Sequence, residues 1–153
     1  MRLEEEREKV RGSALRLLQY RDRSVAELRE RLRKKGFHPD VIADEIERLK
    51  EEKLLDDECF TGIWIRHKLS VSHKGKRLVR AELAAKGIPA DMFERIWAQH
   101  SGQEIRSACE YAARRIARHD ILDSYERRGR IRQNLFRRGY SKAAIDAALE
   151  EIE

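Results

Sequence analysis

The chain has 153 residues, of which 41% are charged and only 7% aromatic, with 2 Pro and 8 Gly. That balance suits many short amphipathic helices with wide solvated faces better than one thick core or a sheet. A net charge of +6 and a pI of about 9.5 fit a polyanionic partner without requiring one.

Two cysteines, Cys59 and Cys109, lie far apart with neither Cys-x-x-Cys nor Cys/His ligand spacing. This argues against a disulfide framework or a zinc site, and both are expected to be small buried apolar residues. No apolar run approaches the roughly 20 residues that span a bilayer. The opening MRLEEEREKV is too charged for a signal peptide, so a soluble cytoplasmic protein is expected.

A first helix is expected from about Arg2 to Tyr20, with Val10, Ala14, Leu17 and Leu18 on one face and early acids at the positive end of the helix dipole. Ser24 with Glu27 three residues on reads as a capping box opening a second helix, which turns Val25, Leu28 and Leu32 inward and ends at Lys35-Gly36. Pro39 can begin a third helix, with Val41, Ile42, Ile46 and Leu49 as its buried stripe. Three helices make one module. The second module opens where Asp56 or Asp57 caps a helix containing Phe60, Ile63 and Trp64, and SVSHKG from Ser70 to Gly75 is the natural loop. The helix from Lys76 to Lys86 turns Val79 and Leu83 inward and leaves Lys76, Arg77, Arg80 and Ala84 outside. Pro89 and Asp91 start the next, with Met92, Phe93, Ile96 and Trp97 inward. A third module begins near Ser101, with Ile105, Ala108, Cys109, Ala112 and Ile116 inward and Arg114, Arg115 and Arg118 largely outward.

Alignment on glycine brings the modules into register. Lys35-Gly36-Phe37, Lys86-Gly87-Ile88 and Arg138-Gly139-Tyr140 repeat every 51 to 52 residues. Around them recur Leu32, Leu83 and Leu135; Leu28, Val79 and Ile131; Ile42, Phe93 and Ile145; Ile46, Trp97 and Leu149; and, further back, Leu18, Leu69 and Ile121. The expected fold is therefore all-α, a tandem array of three three-helix repeats over 1–55, 56–99 and 100–153, forming an elongated, curved molecule.

Charge is segregated along this array. From Cys59 to Ala81 there are six Lys or Arg and no acid, and a second acid-free run from Arg127 to Ile145 includes Arg127, Arg128, Arg130, Arg132, Arg137, Arg138 and Lys142. Two explanations stand side by side. Lys and Arg pair with phosphate oxygens and release counterions, giving sequence-independent, salt-sensitive binding. Alternatively the runs are solvated faces balanced by acids of another module, such as Glu45, Glu47, Glu51 and Glu52. Trp64, Phe93 and Trp97 fall on apolar stripes and are expected to pack rather than stack on bases.

Catalysis finds little support: there is no Gly-x-Ser-x-Gly, no phosphate-cradling loop and no His-Glu-x-x-His. His38, His67, His73, His100 and His119 are scattered and are expected at the surface or as caps, and Asp56-Asp57 as a cap rather than a metal pair.

Arg23-Ser24 with Glu27-Leu28, Leu32 and Lys35-Gly36, then Leu54-Leu55-Asp56-Asp57-Glu58-Cys59-Phe60, then Arg80-Ala81-Glu82-Leu83 with Lys86-Gly87-Ile88, resemble the RecX family of recombination regulators. The resemblance implies tandem three-helix repeats without enzymatic activity, lodging in the groove of the RecA filament on DNA and inhibiting ATP hydrolysis and strand exchange. It departs at Leu78, where relatives often carry a basic residue, and in SVSHKG, which lacks their glycine-rich, proline-containing form. The candidate DNA- or filament-contacting residues are Arg66, Lys68, Lys74, Lys76, Arg77, Arg80 and Lys86, with Arg114, Arg115, Arg118, Arg127, Arg128, Arg130 and Arg132 in the third module. The expected partners are the RecA filament and single- and double-stranded DNA, with no cofactor, metal or membrane, and a monomeric protein. The rival functions are a stand-alone DNA-binding protein and a helical scaffold with no nucleic-acid role.

Overall fold

The structure, a computed structural model, describes residues 2–118 and 122–152, so His119 and Ile121 lie outside the described residues. Those residues form nine helices and no strand: α1 (Arg2–Tyr20), α2 (Val25–Lys34), α3 (Pro39–Glu51), α4 (Asp57–Ser70), α5 (Lys76–Ala85), α6 (Ala90–Trp97), α7 (Ser101–Arg118), α8 (Ser124–Arg137) and α9 (Lys142–Glu151). Local chemistry sets the boundaries. Ser24 and Glu27 form both halves of the capping box, Pro39 occupies the first turn of α3, and the Asp56 side chain accepts from the Glu58 and Cys59 amides. Gly36, Gly87 and Gly139 hold φ of +88°, +82° and +87°, the left-handed geometry that ends the middle helix of each unit.

Three separate apolar cores follow the three-helix units. The first gathers Val10, Ala14, Leu28, Leu32, Ile42, Ile46 and Leu49, the second Phe60, Ile65, Leu69, Val79, Leu83, Phe93 and Trp97, and the third Ala108, Ala112, Ile131, Leu135, Tyr140, Ile145 and Leu149. Burying each large aliphatic or aromatic side chain contributes about 1.5–3 kcal/mol, so each unit owes its shape chiefly to its own stripe residues.

The units are joined by one arrangement used twice. At the first joint the Ser24 hydroxyl donates to the Lys86 carbonyl (2.7 Å), the Val25 amide donates to Asp57 (2.8 Å), and the α5 C-terminus abuts the α2 N-terminus. At the second, the Gly75 amide donates to the Arg138 carbonyl (2.8 Å), the Lys76 amide to Glu104 (2.9 Å), and the Arg77 amide to the Gly139 carbonyl (2.9 Å). In both, a carboxylate from the first helix of the following unit accepts the first amide of the preceding unit's middle helix. The middle helices α8, α5 and α2 thus meet end to end, each C-terminus against the next N-terminus, where opposite ends of the helix dipoles attract.

Several expectations are corrected by this packing. Cys59 is exposed and Cys109 only half-buried: α4 buries Phe60, Thr61, Ile65 and Leu69, which leaves Cys59 on its outer side. Ile105 is exposed, because α7 turns Glu104, Ser107, Ala108 and Ala112 inward to reach both its own unit and the second joint. His73 and His100 are buried rather than superficial. His73 bonds Glu110 across the joint (3.1 Å), and His100 sits where α6 passes into α7. His38 does cap α3, accepting from the Asp40 amide, and His67 is exposed.

Candidate nucleic-acid interface

The basic run of the second unit is folded so that acids reach it. Glu82 accepts Lys74 (3.3 Å) and Lys68 (3.5 Å), Glu94 accepts Lys76 (2.9 Å) and Arg80, and Glu27 of the first unit accepts Lys86 (2.9 Å). Packing of successive elements explains this: Glu82 of α5 meets Lys68 of α4 and Lys74 of the loop, and Glu94 of α6 meets Lys76 and Arg80 of α5. Hydrogen bonding from Lys76 holds the Glu94 carboxyl below its ordinary value. Lys68 and Lys86 also lie over the Trp64 ring at 4.8 and 4.7 Å, on either approach to a half-buried indole stacked on Phe60. Arg77 donates to the Phe136 carbonyl (2.6 Å) and covers the Phe136 ring, so it belongs to the second joint.

Three of the four acids that the sequence offered as counter-charges are engaged elsewhere: Glu45 and Glu52 bond Arg11, and Glu47 bonds Lys50. Of the six cations between Cys59 and Ala81, Arg66 alone has neither an ion pair nor a side-chain hydrogen bond among the described residues.

The third unit is different. Arg114, Arg118, Arg130 and Arg132 are exposed and Arg127 half-buried, and their side chains carry no ion pair or hydrogen bond among the described residues. Arg115 is partly engaged, donating to the Tyr111 hydroxyl (3.0 Å), and Arg128 donates to the Leu149 carbonyl (2.8 Å). Two further exposed arginines are equally unpartnered among the described residues: Arg106 on α7, which sequence reasoning passed over, and Arg137 on α8, which it placed in the second basic run but not among the contact candidates. Arg137 sits seven residues after Arg130, on the same helical face. Phe93 and Trp97 are buried as expected, whereas Tyr125 and Phe136 expose their rings on α8. Tyr125 lies two residues before the arginine run, a proximity visible in the sequence.

Surface ion pairs are worth about 0–1 kcal/mol, so the paired lysines of the second unit could exchange a carboxylate for a phosphate. They would gain little by it. The unpaired arginines of α7 and α8 give up no existing pair on meeting an anion, and Arg can grip phosphate in bidentate fashion.

Two family models match in series: the first three-helix domain of RecX over residues 11–49 and the second over residues 56–95. The chain belongs to the RecX family. Among RecX relatives, the regulatory protein of Geobacillus thermodenitrificans is 35% identical over 94% of this chain and 54% of its own length. That of Bacillus subtilis is 33% identical over 92% and 53%, and that of a Mycobacterium species 33% identical over 95% and 82%. The chain thus spans about half the length of the first two relatives and most of the third. A RecX crystal structure from Lactobacillus salivarius superposes with a TM-score of 0.89 at 23% identity, covering 97% of both chains, which establishes a shared fold. Arg23, part of the RecX-like sequence, is buried and donates to the Leu17 carbonyl (3.2 Å), so its place in the pattern is explained by closing α1 onto α2. Leu78, the departure from the RecX pattern, packs on Gly139, so that position serves the second joint.

Proposed function

We propose that this protein is a non-enzymatic regulator that lodges on the RecA–DNA filament, inhibits ATP hydrolysis and strand exchange, and contacts DNA phosphates through a basic face. Membership of the RecX family supports the regulatory part. The observation that carries the DNA contact is the set of unpaired arginines Arg114, Arg118, Arg130, Arg132 and Arg137 in the third unit. An uncompensated group of this kind raises local affinity for a polyanion without regard to sequence. The paired cations of the second unit are secondary on this reading. Lys76, Arg77 and Arg80 hold Glu94 and Phe136 and chiefly shape the surface.

The test is ATP hydrolysis by RecA on single-stranded DNA across a range of salt, with the wild type, a triple Ala variant of Arg130, Arg132 and Arg137, and one of Lys76, Arg77 and Arg80. The wild type should depress hydrolysis. The first variant should inhibit less, with a salt dependence flatter by about 0.7 in log–log slope for each phosphate no longer neutralised. The second should retain more inhibition than the first. No inhibition by the wild type at any salt removes the proposal, as does retention of RecA only through nuclease-sensitive DNA, the behaviour of a stand-alone DNA binder.

A further inference from the structure

The helices α4 and α7 run side by side in the same direction, with Leu69 and Ser107 in contact and His73 facing Glu110. Between them lies a cleft of about 210 Å³, lined on one side by Arg66 and Ser70 and on the other by Gln103 and Arg106. Both arginines are exposed, and neither has an ion pair or side-chain hydrogen bond among the described residues. Two guanidinium groups lining one small cleft, neither of them ion-paired, repel each other in the free protein. Among the other cations of the basic run, each is answered by a carboxylate or a carbonyl, so this juxtaposition is the exception.

One acid borders the cleft. Glu110 contributes to its wall, and its carboxylate is bonded to His73 at 3.1 Å. His100, buried beside Arg66, has both ring nitrogens without a protein partner among the described residues; burial lowers its pKa, and the Arg66 charge lowers it further, so the imidazole adds no positive charge of its own at neutral pH. The remaining lining is neutral: Leu69 is apolar, the Ser107 hydroxyl is engaged with the Leu69 carbonyl and Tyr140, the Ser70 hydroxyl donates to the Arg66 carbonyl, and the Gln103 amide group is exposed and can donate. A tetrahedral anion with several acceptor oxygens and one negative charge matches two forked guanidinium donors and an amide. Arg is the side chain whose planar fork grips phosphate oxygens in pairs.

We infer that the α4–α7 cleft is a phosphodiester site in which Arg66 of the second unit and Arg106 of the third clamp one backbone phosphate of a bound nucleic acid. The inference rests on the DNA contact proposed above and assigns one of its contacts to the seam between units. Because the two arginines belong to different units, a phosphate held there also ties the third unit to the second, in parallel with the backbone hydrogen bonds of the second joint.

The experiment is fluorescence anisotropy of a labelled single-stranded oligonucleotide, titrated with the wild type, Arg66→Gln, Arg106→Gln and the double variant over a series of salt concentrations. Arg33→Gln, which removes a cation already paired with Glu30, serves as control. Each single variant should lower the log–log salt slope by about 0.7, the share of one single-strand phosphate. The double variant should lower it by no more than either single one, because both arginines act on the same phosphate. Equal slopes in wild type and variants overturn the inference and leave the wider DNA-binding proposal standing. Additive decreases overturn the shared clamp, since they place the arginines on separate phosphates. A wild type that binds no oligonucleotide even at low salt overturns both. Inorganic phosphate, followed through the amide resonances of Ser70 and Gln103, provides the second arm. Saturable shifts in the wild type that vanish in the double variant support the site, and identical shifts in both overturn it. Both arginines are exposed and unpartnered among the described residues, so the variants should keep the wild-type helicity and melting temperature.

Discussion

At Glu27, burial and hydrogen bonding pull in opposite directions. Burial would raise the carboxyl pKa, but bonds from Arg21, Lys86 and the Ser24 amide outweigh it and bring the value down from 4.5 to about 2. A carboxyl depressed on folding stabilises the native state above its unfolded pKa and loses that stabilisation as pH falls through the folded value. The contribution is therefore complete above about pH 4.5 and declines toward pH 2. Since Lys86 belongs to the second unit, acid should loosen the first joint. Thermal melts of wild type and Glu27→Gln should differ most above about pH 4.5, with the difference shrinking as pH falls toward 2; a constant difference across that range would exclude this account. The two thiols make a second prediction at this scale. Cys59 is exposed, while burial and Glu151 push the half-buried Cys109 up to about 11. A thiol reagent at pH 8 should modify one cysteine rapidly, Cys59→Ser should abolish that fast phase, and a fast phase surviving the substitution would contradict the assignment.

Among the elements, the three glycines that close the middle helices share one backbone geometry and differ in what surrounds them. A Cβ on Gly36 would meet nothing within 4 Å, whereas one on Gly139 would lie 2.6 Å from Leu78 Cγ and 2.7 Å from the Leu78 nitrogen. Gly36→Ala should therefore cost about 1 kcal/mol for its left-handed φ alone. Gly139→Ala adds a clash against backbone at the second joint and should cost about 3 kcal/mol. Denaturant unfolding of the two variants distinguishes them, and equal destabilisation would show that the joint does not depend on close approach at Gly139. The Lys/Arg-Gly-apolar triplet was readable because the cap is a local event, set by a few consecutive residues. The joint was not, because it depends on Leu78 meeting Gly139 and on Gly75 meeting Tyr140 across more than 60 residues of chain. Leu78 looked like a missing base for the same reason.

For the whole molecule, apolar periodicity and caps were enough to place the nine helices of the described residues in three units, because each unit's core is built from its own stripe. Charge was less legible. A run without acids in sequence is not a run without acids in space, and Glu82, Glu94 and Glu27 neutralise much of the second unit from neighbouring turns and helices. Arg66 with Arg106, which no sequence run contains together, emerges only when α4 and α7 are laid side by side. Glu104 was likewise unmarked, though it is buried and accepts from the Lys76 amide, the Ser141 amide and the Ser141 hydroxyl. A buried carboxylate announces itself only through the donors that the fold delivers to it.

The joint between units consumes an N-terminal helix end on one and a C-terminal helix end on the next, so its two sides are never the same surface. Such a connection cannot close upon itself as a two-fold pair does; repeated, it generates a screw operation. The number of units is then free to vary while the rise and turn per unit are fixed by a few hydrogen bonds, and a small change at a joint is multiplied along the series. Lengthening a chain of this kind requires no new joint, only another copy of an existing one.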